Sequence, residues 1–157
     1  MSKMGFSIKA LDTYKWPVDV KVPVVNPHTG EGEFEVRSFT GIFKHLSLSE
    51  SREMMNRLKE RSQADQAALT SAAESAEPDD AAALQFKVGT MVADYQIALY
   101  ADIWVGWGND LTDENGDPLP YSDELKRKLL EERMIRDAVI AAHKLSQGGE
   151  AVREKNS

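Results

Sequence analysis

The chain contains no cysteine, which removes a disulfide framework, a thiolate zinc site and a cysteine nucleophile together, and fits a reducing compartment. Long apolar runs are missing as well. Nothing approaches the ~20 residues that span a bilayer, and the N-terminus lacks the basic-then-apolar order of a secretory leader. Basic charge is in deficit, with 19 Lys and Arg against 26 Asp and Glu and a net charge of -7. A nucleic-acid or anionic-membrane binder needs a concentrated cationic footprint, so neither partner is expected. The densest basic run, Lys126-Arg127-Lys128, is bracketed by Glu124, Glu131 and Glu132. It reads as a solvated helix face with helical charge pairs.

Catalytic patterns are equally scarce. No nucleophile elbow, phosphate loop or dinucleotide glycine pattern is present, and His28, His45 and His143 have no ligand-like spacing. The acidic stretch Asp113-Glu114-Asn115-Gly116-Asp117 invites comparison with a calcium loop. Placing Gly116 at that loop's glycine position puts Leu111 first and Ser122 last, where carboxylates are required. No catalytic residue, metal ligand or cofactor site is therefore expected, and an enzyme is disfavoured.

What is present is a mixed pattern within 157 residues, a length that fits one domain. Val18, Val20, Val22 and Val24 alternate with polar neighbours, as in a half-buried strand, with Pro23 marking its end or an edge. The turn-rich Asn26 to Gly32 leads into Phe34, Val36, Phe39, Ile42 and Phe43, giving a β-hairpin of roughly 17–25 paired with 33–44. Ser47 and Ser49, with Glu50 and Glu53 behind them, start a helix that runs to about Ala76 and becomes Ala-rich beyond Leu58. Such a helix is exposed, mobile or completed by a partner.

Pro78-Asp79-Asp80 opens the next helix, whose Leu84, Val88, Met91, Val92, Tyr95, Leu99 and Ile103 form an amphipathic stripe ended by Gly106 and Gly108. Ser122 caps a third helical region with a break near Glu131-Glu132 and a stop at Gly148-Gly149. The expected fold is mainly α within an α+β class: an N-terminal β-hairpin followed by three to four amphipathic helices. An arm over 1–15 precedes a single domain over 16–147, with the hairpin in 16–46 and the helices in 47–147. A charged tail over 148–157 is expected to be disordered.

Two readings stand for Trp104 and Trp107. Either they pack over the small core, or one of them anchors a protein interface together with the loop to Tyr121. Met54, Met55 and Met91 are adaptable enough to line a partner groove, although filling a core is the commoner role of methionine.

Chain order and motifs resemble the tail assembly chaperones of long-tailed bacteriophages and prophages. The resemblance rests on Trp16-Pro17-Val18-Asp19-Val20 leading to the segment Phe39 to Ser47, on Asp102 to Trp107 ending in Val-Gly-Trp, on Asp113 through Glu124, and on the last helix with its charged tail. It covers Trp16 to Leu145, about four-fifths of the chain. Departures are the long Ala-rich Arg61 to Ala76 and the turn at Asn109-Asp110-Leu111. The resemblance implies a non-enzymatic factor of the host bacterial cytoplasm, absent from the mature virion. Such a factor coats and solubilises the tape measure protein, helps recruit major tail tube protein, and self-associates into spiral or ring-like oligomers. Another phage helical adaptor or a head-tail connection protein is the alternative.

Overall fold

A computed structural model describes residues 12–75, 77 and 80–148. Two strands, β1 (Thr13–Val25) and β2 (Gly32–Lys44), are followed by helices α1 (Leu48–Ser75) and α2 (Ala81–Ile103). A short strand β3 (Trp104–Trp107) and helices α3 (Asp123–Glu131) and α4 (Arg133–Ser146) complete the order. The class is α+β, with the hairpin N-terminal as expected. Thr13, Tyr14 and Lys15 belong to β1, so the strand takes the end of the expected arm. The rest of that arm and the tail beyond Gly148 lie outside the described residues, as do Pro78 and Asp79. The described residues form two compact units, one of residues 12–45 and 100–148, the other within Leu46–Leu99.

The first unit is a three-stranded antiparallel sheet in the order β1-β2-β3, covered on one face by helix. β1 and β2 pair without interruption from Thr13↔Lys44 to Val25↔Gly32. Their turn is closed by the Asn26 side chain, whose Oδ1 accepts from the N–H of His28 at 2.8 Å, with Gly30 at φ 73°; a positive φ favours glycine there. β3 escapes the sequence pattern because the helical stripe runs into it at Ile103 and its glycine reads as a stop. Its register with β2, Gly41↔Trp107, Ile42↔Gly106 and Phe43↔Trp104, carries an irregularity between Ile42 and Phe43. One extra residue on β3 lets both tryptophans, three apart in sequence, share one face of the sheet.

That face carries Val18, Phe39 and Phe43, packed with Ile103, Leu130, Ala138, Val139 and Ala142 from the helices, all buried. A Cβ on Gly41 would come within 2.9 Å of both Val18 Cγ2 and Phe43 Cε2, so the two apolar side chains meet over bare backbone. The third helical region breaks as expected, between Glu131 and Arg133. Ser122 Oγ accepts from Leu125 N–H at 3.0 Å to cap α3, and Arg136 Nη1 donates to the carbonyls of Leu130 and Glu131 at its end. Gly148, at φ 92°, follows α4 as a helix stop.

The second unit contains α1 and most of α2. Of the two serines at the start of α1, Ser47 is the cap. Its Oγ accepts from Glu50 N–H at 3.2 Å while Glu50 Oε1 accepts from Ser47 N–H at 3.3 Å, a reciprocal capping box.

Replacing Gly41 by Ala should lower stability by about 1–3 kcal/mol through overpacking, read as a reduced urea midpoint with unchanged slope. An unchanged midpoint would show that Val18 and Phe43 yield freely.

Candidate partner-binding surfaces

Trp104 is fully buried and Trp107 nearly so. Their rings lie 5.3 Å apart, Phe39 lies 6.1 Å from Trp104, and Tyr121 lies 5.1 Å from Trp107. Trp107 Nε1 donates to the Leu119 carbonyl at 2.9 Å, which ties the loop after β3 to the core. Trp104 Nε1 has no hydrogen-bond partner among the described residues. Both indoles thus pack in the core and present almost no surface. Of the residues expected to meet a partner, Met54 is also buried, while Tyr121 and Met55 are exposed.

The loop between β3 and α3 is held by its own acids. Gly108 N–H donates to the Thr40 carbonyl at 2.9 Å, and the Asp110 carboxylate accepts from Thr40 N–H at 2.9 Å and from Thr40 Oγ1 at 2.8 Å. These bonds prolong the β2–β3 ladder by one residue. They also hold the Asp110 pKa below its ordinary value, the Thr40 N–H first among the causes. Asp113 Oδ1 accepts from the N–H groups of Asn115 and Asp117 at 2.8 and 3.0 Å, with Gly116 at φ 83°. The acid-rich turn therefore spends Asp113 on its own backbone. Among the described residues no group of three or more His, Asp or Glu is arranged to hold a metal ion.

One buried and one half-buried polar group were not distinguished by the sequence pattern. Lys126, expected on a solvated face, is buried: its Nζ donates to the Ala101 carbonyl at 2.6 Å near the C-terminus of α2 and lies 5.5 Å from the centre of the Tyr121 ring. A cation there matches the negative end of the helix dipole. Burial pulls its pKa down against the opposing charges of Asp123 and Asp102. Tyr121 in turn donates to Asp123 Oδ1 at 2.6 Å, and partial burial followed by that carboxylate pushes its phenol up to about 12. His143 is half-buried between Phe43, 5.9 Å away, and Tyr100, whose hydroxyl is 3.4 Å from Nδ1. Burial holds the His143 pKa below its ordinary value.

A different surface is open, in the second unit. The stripe predicted for α2 is present, but its first turns are not covered: Val88 and Val92 are exposed, and Phe86, off the stripe, is 78 % exposed. Leu84, Val88, Met91, Val92 and Tyr95 face Leu69 and the polar Ser62, Asp65, Gln66 and Thr70 of α1 across a groove of about 680 Å³. The α2 side of the groove is largely apolar, while the α1 side mixes Leu69 and Ala73 with polar side chains. Met91 lies along it, and the groove offers room for an apolar helix face. No helix among the described residues is long and apolar enough to cross a membrane. Compared with protein-family models, curated proteins and solved structures, the chain finds no match in any of the three.

Replacing Trp107 by Ala should cost about 3–5 kcal/mol and weaken the near-ultraviolet dichroism of the folded chain, an outcome that a purely superficial tryptophan would not give. For His143, the unfolded chain binds more protons than the folded one between the ordinary pKa of 6.5 and the depressed folded value. Stability should therefore fall as pH drops from about 7.5 to about 5. His143→Gln should flatten that part of the profile, and an equally steep profile in the variant would place the titration elsewhere.

Proposed function

We propose that this chain is a tail assembly chaperone of a long-tailed phage or prophage, a non-enzymatic factor that binds the tape measure protein and keeps it soluble. In this reading it also helps recruit major tail tube protein, self-associates, acts in the host bacterial cytoplasm, and leaves before the virion matures. The observation that carries the reading is the uncovered apolar groove between α1 and α2, with Val88, Met91 and Val92 along it. A tape measure protein exposes apolar helical surface along its length. Coating it calls for many shallow, repeated contacts rather than one deep pocket, and a helix laid in an open groove is such a contact. Several copies along one chain gain strength by avidity. The net charge of -7 favours solubility once the apolar surface is loaded.

The test is co-expression with the tape measure protein encoded beside it, followed by affinity capture and light scattering. A soluble complex with several copies per tape measure chain is expected. The double variant Val88→Asp, Val92→Asp changes two exposed positions, so its folded stability should move little, while capture should fall by about tenfold or more, equivalent to about 1.4 kcal/mol. Wild-type chain recovered without tape measure protein, or a double variant that captures it equally well, would overturn the proposal.

A further inference from the structure

The two long edges of the hairpin are built differently. In an antiparallel pair, residues opposite one another turn their backbone N–H and C=O groups either toward each other or both away. Thr40 directs its N–H to Asp110 and its C=O to Gly108, away from β1, so its partner Pro17 faces the outer edge of β1, and so does Pro23, opposite Phe34. Prolines at these positions, with Lys15 and Lys21 on the same outward set, blunt that edge against a further strand. β2 has no such protection. By the same alternation Gly32, Phe34, Val36 and Ser38 turn their N–H and C=O groups outward. β3 reaches only Gly41 to Phe43, and these outward groups meet no partner among the described residues.

The side chains mark the same segment. Phe39 and Phe43 occupy the core face, whereas the apolar positions of the outer half, Phe34 and Val36, fall on the opposite face because the register runs on without a bulge. They are 71 % and 58 % exposed, beside Pro23 and an exposed Val25. Glu35 and Arg37 flank Val36 and pair with each other at 3.1 Å.

We infer that the free edge of β2 pairs with the same edge of a second copy of this chain, antiparallel about a two-fold axis at Val36. This register sets Val36 against Val36, Phe34 against Ser38, and Glu35 against Arg37 in both directions. Shifting the axis to Glu35 would oppose the two Glu35 carboxylates, and shifting it to Phe34 would oppose Glu33 and Glu35, both unfavourable cross-strand pairs. Charge complementarity therefore selects both the occupant and its alignment, and gives a four-stranded sheet ordered β1-β2-β2-β1 with the Phe34 and Val36 patches side by side. The contact does not depend on what the α1–α2 groove binds.

Sedimentation of the full chain alone, over a concentration series, tests the inference separately from tape measure capture. The wild type should rise with concentration to an even number of chains. Val36→Pro should halve its limiting mass while keeping a folded spectrum, since Pro17 and Pro23 show that the β1–β2 ladder accepts proline at outward positions. Lys21→Pro, on the blunted edge, should leave the mass unchanged. Arg37→Glu should shift the association midpoint at least tenfold, and adding Glu35→Arg to it should restore association by exchanging the charges across the axis. A wild type of single-chain mass throughout, a Val36→Pro variant of wild-type mass, or a double exchange that fails to restore association would overturn the proposal.

Discussion

The close approach of Val18 and Phe43 over Gly41 fixes the geometry of the sheet-bearing unit. With no Cβ at Gly41, near the end of β2, the side chains of Val18 and Phe43 converge, and Trp107 is set directly beside the same glycine on β3. The irregularity at Ile42 and Phe43 then turns Trp104 inward as well, and the helices close over a core of large, fully buried rings. Lys126 and Arg136 secure two helix ends around that core by donating to terminal carbonyls.

The second unit is organised by the opposite condition. α2 carries enough apolar residues for a core, but α1 offers it an Ala-rich, polar face in return. The first turns of α2 therefore keep an apolar stripe that their own unit leaves uncovered. Closed aromatic core and open helical groove thus occupy separate stretches of the chain.

Much of this was legible in the residues. Period-two valines and the Asn26 turn specify the hairpin, Ser122 specifies the start of α3, and the apolar stripe specifies α2. β3 was hidden because four residues ending in Val-Gly-Trp cannot outweigh the helical period that leads into them. The burial of Lys126 depends on the carbonyl of Ala101, 25 residues away, and no local pattern encodes such a contact. Periodicity also says which residues share a face without saying whether anything covers it. For that reason the residues alone leave Trp104 and Trp107 open between core and interface and do not say whether the α2 stripe is covered, whereas exposure puts both indoles in the core and leaves Val88 and Val92 uncovered. The change of phase between Phe34, Val36 and Phe39, Phe43 was present in the sequence, but its meaning required the unbroken register of β1 and β2.

Amide hydrogen exchange of the chain, alone and with tape measure protein added as the proposed partner, addresses the division between closed core and open groove most directly. In the free chain, β2 and α4 should exchange slowly and the first turns of α2 quickly, and binding should slow exchange along α2 around Val88 to Tyr95. Free-state protection of those turns equal to that of β2, unchanged by the tape measure protein, would contradict the account.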